Sequence, residues 1–388
     1  MAAAKALTIG LVAGESSGDN LGAALIRAIR ERAPGTRFAG VAGPAMVAEG
    51  CEAWAPADEL AVMGLFEVLH HLPRLLRLRR ELRSRFLAER PDVFVGIDAP
   101  EFNLNLAPAL HAAGIRTVQY VSPQIWAWRQ GRARGMAGFL DLVLCLLPFE
   151  PQVYDRAGLH AIFVGHPLAD QLPLLPDRAA ARAGLGLPAE CQIVAVLPGS
   201  RVGEVARLAD DFAGAIGWLA GRRPGLRFIA PMANARTRIL FEQALARYSP
   251  ATQVQIIEGR SQTALTAADA VLVASGTATL ETLLCKRPMV VAYRLGWMTA
   301  LVLRSLRMLK APYFAQPNLL ANRRVVPELA QGEVNPERLG REIEHWLDQP
   351  AEVAALAEQF TAIHRQLRAG ASARAAEAIL MLARGRAA

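Results

Sequence analysis

Lysine, cysteine and long apolar runs are all scarce in this sequence of 388 residues. Only three of the 43 basic residues are lysines, so arginine supplies nearly all of the positive charge, and the net charge is +8. A charge of that sign favours anionic partners such as nucleotides and lipid head groups. The four cysteines form no Cys-x-x-Cys pair, which argues against structural zinc and indicates reduced thiols in a cytosolic protein.

No stretch of the sequence is long enough and apolar enough to cross a bilayer. The longest run without Asp, Glu, Lys or Arg is Phe102–Ile115, whose 14 residues include two Asn and a Pro. Lys5 followed by Leu7–Ala13 superficially resembles a signal peptide, but the apolar run is short and no convincing cleavage site follows. We therefore interpret this run as the first strand of a protein that is soluble or lies on a membrane.

Short apolar runs alternate with amphipathic helical stretches along the chain, which is typical of α/β proteins with parallel sheets. One series extends from Ala6–Ala13 to Ala161–Val164, and a second begins at Gln192–Leu197. A stretch rich in Leu, Pro and Asp separates them after Leu168. The pattern predicts two doubly wound Rossmann-like domains, residues 1–168 and 169–364, that face each other across a cleft.

The stretch Asp98–Asn103 follows the apolar strand Asp92–Ile97. Open α/β sheets hold ligands at the carboxyl ends of their strands, so Asp98 is a candidate proton acceptor. Pro100 prevents a simple continuation of the strand, and Glu101–Ala113 is predicted to be helical. A helix-capping role for Asp98 is the structural alternative.

The first strand leads into Gly14–Asp19, which is predicted to be a turn before a helix over Asn20–Ala33. A strand, a turn of small residues and a helix often form nucleotide or sugar sites, because the helix N-terminus offers unpaired N–H groups. The turn lacks the Gly-x-Gly-x-x-Gly pattern of dinucleotide sites. The alternative is that Asp19 is a helix N-cap and the serines only form the turn.

Two junctions in the second half have a similar design. After the strand Gln192–Leu197, Gly199 lets the backbone approach a ligand and Arg201 adds a cation at a helix N-terminus, which favours a diphosphate. Further on, Ser275–Thr277 opens another helix. Glu281 lies one turn into that helix, where its carboxylate can accept hydrogen bonds from both hydroxyls of a ribose.

The stretch from Leu60 to Arg90 combines an apolar stripe (Leu75, Leu78, Leu82 and Phe86) with an excess of arginine. Such a helix either packs on the sheet with a solvated basic face or lies at an anionic membrane surface, and the one-sided charge favours the membrane. The residues expected to contact the membrane are Leu65, Phe66, Leu69, Leu75, Arg77, Arg80 and Arg83. Trp297–Lys310 is a second apolar and basic stretch.

Seven short motifs, in order along nearly the whole chain, resemble those of the lipid-A-disaccharide synthases, which are inverting glycosyltransferases of the GT-B type. Each motif alone is weak, but the ordered set is specific. The motifs are Gly14–Asp19, Gly96–Asn103, Ser122–Trp128, Val164–Leu168, Leu197–Arg201, Ser275–Glu281 and Pro317–Leu320.

The resemblance implies an enzyme that joins UDP-2,3-diacylglucosamine to 2,3-diacylglucosamine 1-phosphate (lipid X). Its products are the β-1′,6-linked disaccharide 1-phosphate and UDP. Inversion needs a base for the 6-hydroxyl of the acceptor, and Asp98 is our candidate. Substrate contacts are expected from Glu15, Ser17, Asn103, Trp126, His166, Gly199, Arg201, Ser275, Gly276, Thr277, Glu281 and Asn318.

The resemblance also implies a cytoplasmic enzyme of a Gram-negative cell, peripherally associated with the inner face of the anionic inner membrane. In GT-B proteins the C-terminal helix often crosses back, so residues 365–388 are expected to complete the first domain. No cofactor is implied. The sequence leaves the oligomeric state open, a homodimer included.

Three other functions are consistent with parts of this pattern. A peptidoglycan N-acetylglucosaminyltransferase shares the architecture but has a different glycine-rich first loop. A UDP-N-acetylglucosamine 2-epimerase shares the fold but does not need the basic amphipathic segment. Nucleic-acid binding rests on the positive charge alone, without a recognition module, so no nucleic-acid partner is expected.

The sequence contains no evident Asp-x-Asp metal motif, so we assign stabilisation of the departing UDP to Arg201 and helix N-termini. We expect full transferase activity in excess chelator, measured as UDP release from the two purified lipids. Loss of activity in chelator that Mg²⁺ or Mn²⁺ restores would contradict this expectation.

Overall fold

The structure is a computed structural model that describes residues 7–60, 65–125, 131–294 and 313–385, with side chains from Leu72 onward in the second range. Trp126, the stretch Trp297–Lys310 and the side chains of Leu65, Phe66 and Leu69 lie outside the described residues. The chain divides into two compact units, Met1–Asp170 with Leu367–Ala388, and Gln171–Gln366.

The first unit contains a seven-stranded parallel sheet with the strand order β3-β2-β1-β4-β5-β6-β7. Its central strands are continuously apolar because helices cover both faces of the sheet. The strands are β1 Thr8–Ala13, β2 Arg37–Ala42, β3 Glu52–Pro56, β4 Val93–Ile97, β5 Arg116–Tyr120, β6 Leu142–Cys145 and β7 Ala161–Phe163. The helices are α1 Glu15–Arg32, α2 Pro44–Ala48, α3 Leu65–Glu89, α4 Pro100–Ala112, α5 Arg132–Met136, α6 Pro151–Asp155, α7 Pro167–Gln171 and, from the C-terminal segment, α16 Ala371–Ala383.

The second unit contains a six-stranded parallel sheet with the strand order β10-β9-β8-β11-β12-β13. Its strands are β8 Ile193–Leu197, β9 Arg227–Met232, β10 Val254–Glu258, β11 Ala270–Ala274, β12 Met289–Tyr293 and β13 Glu328–Ala330. Its helices are α8 Arg178–Gly184, α9 Val202–Arg222, α10 Ala235–Tyr248, α11 Ser261–Ala267, α12 Thr277–Leu284, α13 Gln316–Ala321, α14 Pro336–Asp348 and α15 Pro350–Leu367. The predicted α/β architecture of two parallel sheets is confirmed.

Helix α1 begins five residues earlier than predicted, with Gly14 as its N-cap and Glu15 as its first residue. Asp19 is therefore not an N-cap of α1. Its buried carboxylate instead accepts hydrogen bonds from the N–H groups of Gly43, Ala45 and Met46 at 3.0, 2.8 and 2.9 Å. These bonds fix the start of α2 against α1.

The apolar stripe of α3 packs largely on the sheet rather than facing outward. Leu78, Leu82 and Phe86 are buried in the core. The membrane interpretation was wrong for these three side chains, because they fill the space beside the apolar strands. Leu72 and Leu76, one turn apart at the start of the described side chains, are 41% and 39% exposed. No helix within the described ranges is both long and apolar enough to span a membrane.

The C-terminal segment is tied into the first unit by its own hydrogen bonds. The carboxylate of Asp170 accepts the N–H groups of Gly370 and Ala371 at the start of α16, at 2.9 and 2.6 Å. Apolar side chains of α16, such as Ile379 and Leu380, then join the core that contains Leu25 of α1.

Asp19→Ala should lower the free energy of unfolding by about 2–3 kcal/mol, because it leaves three N–H groups near a helix N-terminus without their acceptor. The measurement is denaturant unfolding of the full chain. The matched control is Asp177→Ala, an exposed N-cap that accepts one N–H, from Ala180 at 2.9 Å; it should cost about 1 kcal/mol or less. Equal losses for the two variants would contradict the bridging role of Asp19.

Candidate active site

The strand order of each sheet reverses once, and several of the predicted site residues, Asp98 and Arg201 among them, follow the strands at these two reversals. In the first sheet β1 and β4 are neighbours, with Ala13 opposite Ile97. In the second sheet β8 and β11 are neighbours, with Leu197 opposite Val273. Doubly wound sheets bind ligands outside the carboxyl ends of the strands at such a reversal. Each unit therefore has one edge suited to a ligand.

The backbone at the first edge is strained on three adjacent strands. Glu15 follows β1, Asp98 and Ala99 follow β4, and Val121 follows β5, and all four have left-handed φ angles between 39° and 77°. Non-glycine residues in this region cost about 1–3 kcal/mol each and persist mostly at functional sites, where the surrounding structure holds them. The strain marks this edge as the candidate active site.

Asp98 is half-buried at the centre of this edge. Burial raises the pKa of its carboxyl group above the ordinary value, and the hydrogen bond from the Ala99 N–H offsets part of that rise. A carboxylate with a raised pKa is a stronger base, which suits the removal of a proton from a hydroxyl group.

Asn103 requires a correction, because its side chain is only 1% exposed and is used within the fold. Its Nδ2 donates to the carbonyl oxygens of Asp98 at 2.9 Å and of Val12 at 3.3 Å. We therefore replace the predicted substrate contact with a role in supporting the backbone.

Sequence reasoning missed Gln119, whose buried Nε2 donates to the carbonyl oxygens of Asp98 at 3.1 Å and Val121 at 3.3 Å. The available sequence signal was a polar glutamine within β5, a strand whose residues are mostly buried.

The other predicted residues of the first unit lie at different places. Glu15, half-buried, is the first residue of α1, and Ser17 is exposed in its first turn. His166 follows β7, which β5 and β6 separate from β4, so the sheet does not bring it beside Asp98.

The imidazole of His166 is held as a neutral donor. Burial lowers its pKa to about 4, although Asp170 acts in the opposite direction. Its Nδ1 accepts the N–H of Leu168 at 3.2 Å, so the neutral ring carries its proton on Nε2.

At the second edge, Gly199 and Arg201 precede α9. Gly199 has φ 131°, and a Cβ there would lie 2.8 Å from the Cβ of Glu204, so a larger residue does not fit. The Glu204 carboxylate accepts the Ser200 N–H at 3.2 Å and contacts the Arg201 guanidinium at 3.4 Å. The exposed Arg201 side chain keeps further donors for an anion.

The turn after β11 is open. Gly276 and Thr277 are exposed at the N-terminus of α12, and a Cβ at Gly276 would meet no atom within 4 Å. Ser275 is half-buried, and its hydroxyl donates to the carbonyl of Phe314 at 3.4 Å. Neighbouring strands thus bring this turn and the Gly199–Arg201 turn to one edge, where both offer backbone N–H groups.

Glu281 lies one turn into α12. Burial raises the pKa of its carboxyl group, while a hydrogen bond from Ser261 at 3.2 Å lowers it in part. That bond uses one carboxylate oxygen and leaves acceptor capacity for a ligand. In the described part of the chain, His, Cys, Asp and Glu side chains form no group of three that could hold a metal ion.

Asn318 also requires a correction. It is fully buried, and its Nδ2 donates to the Val326 carbonyl at 3.0 Å and to Glu328 at 2.8 Å. Its Oδ1 accepts the N–H groups of Val325 and Val326 at 2.7 and 3.0 Å. Because both ends of the amide are bonded inside the fold, Asn318 shapes the loop after α13 rather than contacting a substrate.

Solved structures with similar folds include an epimerase and a glycosyltransferase. The UDP-GlcNAc 2-epimerase from Neisseria meningitidis bound to UDP-GlcNAc aligns with a TM-score of 0.65 and 12% identity, covering 96% of this chain and all of that chain. The calicheamicin glycosyltransferase CalG4 aligns with a TM-score of 0.59 and 15% identity, covering 98% of each chain. At these identities the likeness shows the fold alone, and it confirms the predicted two-domain GT-B fold.

Sequence relatives are much closer. The lipid-A-disaccharide synthase of Xanthomonas oryzae pv. oryzae (strain MAFF 311018) is 51% identical over 377 residues, which cover 97% of this chain and 87% of the relative. The lipid-A-disaccharide synthase of Yersinia pestis is 48% identical over 381 residues, covering 98% and 96%. A sequence model of the lipid-A-disaccharide synthetase family matches residues 9–379. The resemblance carried by the seven motifs is thereby confirmed: the chain belongs to the lipid-A-disaccharide synthetase family.

Proposed function

We propose that this hexosyltransferase transfers the 2,3-diacylglucosamine group of UDP-2,3-diacylglucosamine to the 6-hydroxyl of lipid X, with Asp98 as the catalytic base. Family membership supports lipid A disaccharide synthesis. The observation that carries the assignment of the base is the half-buried Asp98 in a left-handed turn at the strand-order reversal of the first sheet.

In the proposed reaction, the 6-hydroxyl oxygen attacks the anomeric carbon of the donor as the bond to UDP breaks. Asp98 takes the hydroxyl proton, and UDP leaves with the bonding electron pair. Attack opposite the leaving group inverts the anomeric carbon and gives the β-1′,6 linkage. Glu15 and Ser17, at the neighbouring strand end, are proposed to contact a sugar of the acceptor or donor.

The UDP group is assigned to the second unit. The exposed turn at Gly276 and Thr277 and the Arg201 guanidinium offer donors to the diphosphate, where negative charge develops as UDP departs. Glu281 is proposed to accept hydrogen bonds from the ribose hydroxyls.

Both proposed substrates carry acyl chains, so we also propose that the enzyme acts at the anionic inner face of the inner membrane. The described part of α3 supports this through exposed Leu72 and Leu76 beside exposed Arg77, Arg80 and Arg83. Leu75, half-buried on the same helix, is retained as a membrane contact. Apolar side chains flanked by arginines suit a lipid head-group region.

Asp98→Asn should lower kcat by about 10²–10⁴-fold, because the near-isosteric amide cannot accept the proton. The assay is formation of disaccharide and UDP from the two purified lipids, with donor alone as the blank. Glu101→Gln is the matched control, since Glu101 is an exposed carboxylate close in sequence and paired with Arg132. We expect the control to stay near wild type, and an Asp98→Asn variant within about tenfold of wild type would remove Asp98 from the role of base.

Replacing Arg77, Arg80 and Arg83 together by Gln should weaken binding to anionic vesicles by about a hundredfold, at about 1 kcal/mol for each arginine near the surface. Vesicle flotation with and without anionic lipid measures the effect. The control replaces three exposed arginines of the second unit, Arg227, Arg236 and Arg324, and should bind as wild type. Equal binding by the two triple variants would contradict the assignment of this surface to α3.

A further inference from the structure

Two buried carboxamides converge on the main-chain carbonyl of Asp98. Asn103 reaches it from α4 at 2.9 Å, and Gln119 reaches it from β5 at 3.1 Å. Both side chains are 1% exposed, so neither is available to bulk water. This carbonyl belongs to a residue with φ 53°, followed by Ala99 with φ 39°.

The two donors are placed where the strand ladder ends. The N–H of Asp98 still pairs with the Tyr120 carbonyl at 2.8 Å, but the chain then turns into its left-handed conformation and enters α4. The Asp98 carbonyl therefore has side-chain donors at the point where its backbone is strained. Such a conformation persists only where surrounding contacts over-determine it.

Gln119 also connects this turn to its neighbour. Its Nε2 faces the carbonyls of Asp98, Tyr120 and Val121, at 3.1, 3.5 and 3.3 Å. Because all three neighbouring groups are hydrogen-bond acceptors, the Gln119 amide must turn its nitrogen, and not its oxygen, toward them. One side chain thus joins the strained turns after β4 and β5.

Asn103 occupies a space that the sheet leaves for it. Gly96 lies between Val12 and Gln119 in register, and a Cβ on Gly96 would lie 2.7 Å from the Cβ and Cγ of Asn103. The missing side chain at Gly96 lets the amide of Asn103 reach both the Val12 and the Asp98 carbonyls. The hydrogen bonds of Asn103 and Gln119 thus connect the carboxyl ends of β1, β4 and β5.

We propose that Gln119 and Asn103 are positioning residues that hold the Asp98–Ala99 turn left-handed, and so fix where the Asp98 carboxylate points. The consequence for catalysis rests on the proposed function, because it requires that Asp98 is the base. At this end of the adjacent elements, the charged side chains include Glu15 at the start of α1, and Glu101 of α4 in its ion pair with Arg132 of α5.

Gln119→Met keeps the length of the side chain but removes the donor. We expect kcat to fall by about tenfold to a hundredfold with a much smaller change in KM, because a displaced base affects the transition state more than binding. Release of the turn exposes the carboxylate, so the Asp98 pKa should fall and the acid limb of kcat/KM should move to lower pH. Carboxyl ¹³C NMR, assigned with Asp98→Asn, measures the Asp98 titration without any assay of activity.

Thr117→Val is the matched control, since Thr117 is a buried hydrogen-bonding residue on the same strand face but donates to the Phe139 carbonyl. It should lower the melting temperature without moving the Asp98 titration or the acid limb. Ala99→Gly added to Gln119→Met should recover part of the lost kcat, because glycine adopts the left-handed conformation without the penalty that alanine has.

The outcomes separate the two proposals. A folded Gln119→Met variant with wild-type Asp98 titration and wild-type kcat would overturn the positioning role. A shifted titration with unchanged kcat would support positioning and would instead count against Asp98 as the base. If Gln119→Met does not fold, Asn103→Leu, which is of similar size and adds no charge, removes the other donor and should shift the Asp98 titration in the same direction; a folded variant without that shift overturns the proposal.

Discussion

The arrangement of the candidate active site depends on one carbonyl group, that of Asp98, and on the two amide N–H donors that bind it. The turn it belongs to is costly for the backbone, and its location is set by the sheet, because β4 ends there beside β1. Without those donors, the last hydrogen bond between the β4 end and β5 would be the one from the Asp98 N–H. Few contacts would then hold the strained backbone of Asp98 in place. The backbone geometry of this edge thus depends on buried polar side chains beside a mostly apolar strand end.

Much of the fold and part of the candidate site could be predicted from the sequence, because apolar strands and glycine-rich junctions have local sequence signals. The positions of Asp98, Gly199 and Gly276 at strand ends follow from such signals. Asn103 and Asn318 were misassigned because a motif gives the identity of a residue but not the direction of its side chain. Gln119 was missed for a related reason: its partners are carbonyl groups of distant turns, and no sequence pattern reports where a carbonyl points.

Helix α3 illustrates a different limit. An apolar stripe with flanking arginines has the same appearance whether its stripe meets lipid or a sheet. The burial of Leu78, Leu82 and Phe86 identifies the sheet as the partner for the C-terminal part of the helix. Arg85 could likewise have been read as a membrane contact, but its Cζ lies 4.2 Å from the centre of the Trp54 ring and its guanidinium pairs with Glu52. Only tertiary contacts separate the two interpretations.

The return of the C-terminal segment to the first unit affects how the protein is made. Residues 171–366, the whole second unit, are synthesised between the first sheet and the helix that covers part of it. Until α16 emerges from the ribosome, Ile379 and Leu380 cannot pack against Leu25 and its neighbours. Those apolar side chains therefore remain exposed to water. Transiently exposed apolar surface of this kind is prone to aggregation, and the first unit can complete its core only after the whole second unit has been synthesised.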